Sequence, residues 1–169
     1  MALITSPTEM IPDLNYEYHT ITIDSVGQGN ANTFTCHLQQ PLKNVVQARL
    51  VGARINTTTA TEHCYISISE LDSIFSDRAS NVLTGQSSLS ILRNSFASLV
   101  TADDTGIISF KDDYPVATQY VNPIRSIDRF TVNIRDQDAN LVTPPNPAEK
   151  NFLVIRFDCR KPNLYLFSP

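Results

Sequence analysis

From Phe130 to Ile134 the chain alternates without a break: Phe130, Val132 and Ile134 are apolar, Thr131 and Asn133 polar. A period of two puts successive side chains on opposite faces of a strand, so this segment has one buried and one wet face. Asn122-Pro123 leads into it through Ile127 and Arg129, and Arg135 closes it. It ends in Asp136-Gln137-Asp138-Ala139-Asn140, a hairpin turn of the kind in which Asx side chains bond their own backbone.

The same grammar recurs along the chain. Residues 16–25 place Ile21 and Ile23 on one face and Thr20, Thr22 and Asp24 on the other, before a turn at 26–30 whose glycines supply positive φ. Residues 32–39 alternate Phe34, Cys36 and Leu38 against Thr33, Thr35 and His37, and Gln40-Pro41 reads as a break. Residues 45–56 set Val46, Ala48 and Leu50 on one face and Ala53 and Ile55 on the other. Gly52 lies at that change of phase, the signature of a bulge or bend. Cys64 begins a fourth strand, with Tyr65, Ile66 and Ile68. Residues 70–90 read as loop with a short helical turn near 71–75. Residues 89–100 read as one or two strands, 107–110 and 116–120 are short candidates, and 126–135 and 151–159 are strands, the latter after the loop Pro144-Pro145-Asn146-Pro147; 164–167 is a last short apolar stretch. Eight or nine strands, close-set turns and no amphipathic helix predict an all-β chain, a single jelly-roll sandwich of about eight strands. At 169 residues this is one domain, residues 15–169, preceded by an extended N-terminal arm over residues 1–14. The arm is apolar enough (Leu3, Ile4, Met10, Ile11) to dock on a neighbouring subunit.

Chemistry is sparse. The chain has no Gly-x-Ser-x-Gly elbow, phosphate-cradling loop or His-Glu-x-x-His, so no catalytic residue is expected and the protein is not expected to be an enzyme. His19, His37 and His63 lack metal-site spacing and read as surface or rim residues. Asp103-Asp104, Asp112-Asp113 and Asp136-x-Asp138 could offer oxygen ligands to Ca²⁺, but the last lacks an EF-hand's glycine and closing Glu. No metal or cofactor is expected. Cys36, Cys64 and Cys159 are too scattered for a zinc site or a disulfide scaffold, and Cys36 and Cys159 read as small buried hydrophobes. Asn56-Thr57-Thr58 matches the glycosylation sequon, idle without a signal peptide. Tyr16, Tyr18, Tyr65, Tyr114, Tyr120 and Tyr165 could line a sugar-binding face, although the lack of Trp argues against a lectin. A net charge of -4 gives no basic footprint, so no direct nucleic-acid partner is expected. Residues 1–12 carry neither a basic n-region nor an apolar h-region, and no run of the chain could span a bilayer. The expectation is a soluble protein made in the cytosol, without membrane insertion.

Three blocks carry a resemblance: 41–55 (Pro-Leu-Lys-Asn-Val-Val-Gln-Ala-Arg-Leu-Val-Gly-Ala-Arg-Ile), 126–140 (Ser-Ile-Asp-Arg-Phe-Thr-Val-Asn-Ile-Arg-Asp-Gln-Asp-Ala-Asn) and 151–159 (Asn-Phe-Leu-Val-Ile-Arg-Phe-Asp-Cys). In order and spacing, over about residues 16–159, they resemble the single jelly-roll capsid proteins of large icosahedral double-stranded DNA viruses, the penton proteins among them. Ala139 stands where that family more often has Gly. The resemblance implies a structural virion protein: a penton subunit forming a homopentamer at the fivefold vertices of an icosahedral capsid. Its partners would be itself, a double jelly-roll major capsid protein and minor capsid proteins. Its location would be the virion, at the capsid vertex, after assembly in the host cytoplasm. Two alternatives remain: a single jelly-roll minor capsid (cement) protein, and a carbohydrate-binding jelly-roll module.

Overall fold

The structure is a computed structural model that describes residues 15–57, 61–72, 95–100, 106–137, 140–142 and 149–162. The arm at 1–14, the acid pair Asp103-Asp104, the proline loop at 144–147 and the apolar stretch at 164–167 lie outside the described residues. Among the described residues there are six strands: β1 (Tyr16–Asp24), β2 (Thr33–Asn56), β3 (His63–Ile68), β4 (Ala97–Val100), β5 (Ile107–Asp136) and β6 (Phe152–Arg160). They pair antiparallel throughout, in the order β1-β6-β2-β5-β3-β4. The all-β expectation holds.

β2 and β5 are long because they run through positions that read as breaks. Between His37 and Leu42 the register slips, leaving residues 38–41 opposite Asp128 alone. Two further slips leave residues 120–123 opposite Val46, and residues 112–115 opposite Val51. Each excursion ends in a proline, at Pro41, Pro123 and Pro115. Proline has no N–H to give a ladder, so it sits at edges and bulges. Here the prolines mark where two long strands bend, not where they stop. Asn44 sits beside the first bend with φ of 52°, a left-handed conformation that Asn tolerates better than most residues.

The bends fold the sheet into two leaves of four. In one lie β1, β6, the C-terminal part of β2 and the N-terminal part of β5. In the other lie the N-terminal part of β2, the C-terminal part of β5, β3 and β4. A long antiparallel ribbon wound into two facing four-stranded leaves is a jelly roll. The inner faces share one core. β6 supplies Leu153, Ile155, Phe157 and Cys159, all buried, while its alternate residues face outward. From the opposite leaf Phe130 lays its ring on Phe157, with centroids 5.4 Å apart and planes 18° from parallel.

The two bulges on β2 settle the phase slip at Gly52. Val51 is the extra residue against β6, and the count it adds returns Ala53 and Ile55 to the buried face that Ala48 and Leu50 occupy. The expectation that they sit on opposite faces is therefore corrected. So is that of Val46: it is the extra residue of the preceding bulge, half-buried, and Val45 takes the core position.

At one end of the sandwich the segments leaving β1, entering β2, leaving β2 and entering β6 are joined by buried polar groups. Asn151 Nδ2 donates to Ala31 O (2.9 Å) and to Asn32 Oδ1 (2.6 Å), while its Oδ1 accepts from the Asn56 amide (2.9 Å). Its backbone N–H donates to Ser25 Oγ and its carbonyl accepts from the Ser25 amide. Asn32 Nδ2 donates to Val142 O. Asn56 Nδ2 donates to Lys150 O at 2.6 Å, which places the sequon's amide in the interior and away from any sugar transfer. At the other end both flanks meet, where the Lys161 amide donates to Asn15 O (2.9 Å).

Candidate functional site

The outer face of the first leaf carries one side-chain row that runs across all four of its strands. Tyr18 of β1 pairs in register with Asp158 of β6, Asp158 with Gln47 of β2, and Gln47 with Gln119 of β5. With strands ~4.8 Å apart, such a row is ~14 Å long. The row floors a groove of about 400 Å³, completed by Tyr16, Val46 and Tyr120. That size lies within the range of ligand pockets.

The groove follows from the bulges. Extrusion of Val46 from the ladder and the excursion of residues 120–123 on β5 raise one wall, at Tyr120. Tyr120 is fixed there: its hydroxyl donates to Leu71 O at 2.7 Å, and burial, then nearby Asp72, push the phenol above its ordinary range. It offers the groove its ring and not its hydroxyl. The opposite wall is the edge strand β1, with Tyr16 and Tyr18. The Arg156 guanidinium lies 4.5 Å from the centre of the Tyr18 ring, a cation–π contact, and its Nε lies 3.3 Å from Asp158 Oδ1. Asp158, the carboxylate among the described lining residues, is thereby paired. Tyr18 keeps 41% of its surface exposed.

Of the six tyrosines, three therefore meet in one place. Tyr65 is instead in the core, its ring 4.4 Å from that of His63. Tyr165 and the side chain of Tyr114 lie outside the described residues. Gln47, Gln119 and Asp158 were not singled out by sequence, because only cross-strand register brings them together. A second groove of about 410 Å³ lies where the chain flanks meet, between Glu17, His19 and Arg160 on one side and residues 40–44 on the other.

The remaining candidates are dispersed. His19 lies 3.6 Å from Glu17 and is half-exposed, His37 is exposed, and His63 packs beside Tyr65. Among the described residues no three His, Cys, Asp or Glu side chains come together as a metal site would require. Asp136 accepts from the Asn140 amide at 2.9 Å, the expected Asx-type hairpin contact; Asp138 and the side chains of Asp112 and Asp113 lie outside the described residues. Cys159 is buried, whereas Cys36 is half-buried and donates from Sγ to Asp24 O (3.1 Å), a departure from the expected fully buried pair.

Cys64 is wholly buried, and desolvation pushes its thiol from 9.0 up to about 12. At any given pH below that range, the reactive thiolate is then about a thousandfold scarcer than for an ordinary cysteine. Cys64 should therefore resist iodoacetamide at pH 8 in the native protein and alkylate readily in urea, as read by peptide mass spectrometry. Equal labelling in both conditions would contradict that burial.

No protein-family model matches the chain, and no curated protein matches it.

Proposed function

We propose that the chain is a structural virion protein, a penton subunit that forms a homopentamer at the fivefold vertices of an icosahedral capsid. The observation that carries this reading is the winding: one long bent ribbon, β2 with β5, closed into two four-stranded leaves. Jelly rolls of this kind build viral capsids, and also lectins and cupins. The three sequence blocks that resemble capsid proteins fall on its structural joints. Block 41–55 is the bent half of β2, block 126–140 the second-leaf end of β5 and its turn, and block 151–159 is β6 with its polar anchor Asn151.

A fivefold ring needs one flank of each subunit to meet a different flank of the next, with a rotation that closes. The outer positions of β1 and the first part of β2 suit such contacts. Thr20, Thr22, Thr33, Gln39 and Gln40 are exposed and uncharged, so burying them strands no ionic group. Partners beyond the ring would be a double jelly-roll major capsid protein and minor capsid proteins, and the location the capsid vertex.

Native mass spectrometry at micromolar concentration tests the ring. A mass near five times 18.8 kDa is the expected result. A monomer that also fails to close into rings when mixed with shell components would replace the vertex reading with that of a cement protein of the same fold.

A further inference from the structure

We propose that the groove on the outer face of the first leaf is a binding site for a neutral oligosaccharide. A pyranose ring has an apolar face of C–H groups and an equatorial rim of hydroxyls, and needs an aromatic surface beside neutral donors and acceptors. The groove supplies both. Tyr18 and Tyr120 offer rings from opposite walls. Between them Gln47 and Gln119 stand as direct cross-strand partners, each amide able to donate and accept. Asp158 adds acceptors at the centre of the row.

Charge selects against other ligands. Among the described residues that line the groove none is basic, which disfavours phosphate, sulfate and nucleic acid. The acid among them, Asp158, is compensated by Arg156, so the described part of the groove is locally near neutral and disfavours a cationic peptide. The ~14 Å row accommodates several sugar units laid across the strands.

Preorganisation supports the assignment. Tyr120 is held by Leu71 O, and Tyr18 is backed by the Arg156 guanidinium, so neither ring must be ordered on binding. The site resides within one subunit, and its test reads ligand contact and not mass, so its failure and that of the ring can be told apart.

The test is saturation-transfer NMR on the full chain with three neutral probes at millimolar concentration: cellotetraose, maltotetraose and chitotetraose. Transfer to the ring protons of at least one is expected. Tyr18→Ala and the Gln47→Ala/Gln119→Ala pair should each weaken that binding by about tenfold, as loss of a stacking surface or of two hydrogen-bonding groups would. Unchanged melting curves would show that both variants fold, as the exposure of Tyr18 and Gln119 leads one to expect. Absence of transfer from all three probes overturns the proposal, and so does transfer that survives both variants. Absence of transfer in a protein that is pentameric by mass would mean the ring covers or dispenses with this face; the sugar site would then fall while the assembly stood.

Discussion

Asn151→Ala is expected to destabilise the fold by about 4 kcal/mol, more than any single polar change elsewhere in the described residues. Asn151 is fully buried and its side chain serves three partners from separate segments: the Ala31 carbonyl, the Asn32 side-chain oxygen and the Asn56 amide. Alanine leaves each of these in the interior without its partner, and an orphaned buried polar group costs roughly 1–3 kcal/mol. Asn151→Asp is the informative companion. It has the same shape and keeps an acceptor for the Asn56 amide, yet it turns an oxygen toward Ala31 O and Asn32 Oδ1. It should be no better tolerated than alanine, because shape is not what the site needs. Urea unfolding followed by circular dichroism measures both; a loss below about 1 kcal/mol for Asn151→Ala would remove the polar cluster as a determinant of stability.

The second large effect concerns the join between the leaves. Phe130→Ala should cost about 3–5 kcal/mol, the usual penalty for emptying a buried aromatic site. Phe130 is fully buried, and its partner Phe157 comes from β6 in the facing leaf, so the ring contact fastens one leaf to the other. Phe157→Ala should cost a similar amount. The double variant should lose less than the sum by about 1 kcal/mol, because the stacked pair is counted twice in the single variants. Strict additivity in a double-mutant cycle would mean the rings pack independently of one another.

Some of this architecture can be read along the chain. Leu153, Ile155, Phe157 and Cys159 on β6, and Phe130, Val132 and Ile134 on β5, alternate because each strand has one face on the core, and local periodicity reports that directly. Gly52 at a phase slip also marks a true bulge. Pro41, Pro115 and Pro123 mislead, since proline's missing N–H is equally compatible with a strand's end and with a bend inside it. Only the pairing partner distinguishes the two. The same reason hides the groove: Tyr18, Asp158, Gln47 and Gln119 are neighbours by register, at sequence separations that no local pattern spans. Asn32, Asn56 and Asn151 are hidden by their type, because asparagine ordinarily signals a turn and here seals a core.

The pairing of β1 with β6, from Tyr16 opposite Arg160 to Asp24 opposite Phe152, bears on how the protein is made. β1 leaves the ribosome well before β6, its ladder partner among the described residues. Until β6 is free of the exit tunnel, β1 lacks that partner, and β2 keeps the edge along 45–54 open. The first leaf therefore closes only once β6 has been made, in a slow step dominated by contacts distant in sequence. During that interval the nascent chain exposes two unpaired edges, each a template on which another copy of the chain can pair before its own β6 arrives.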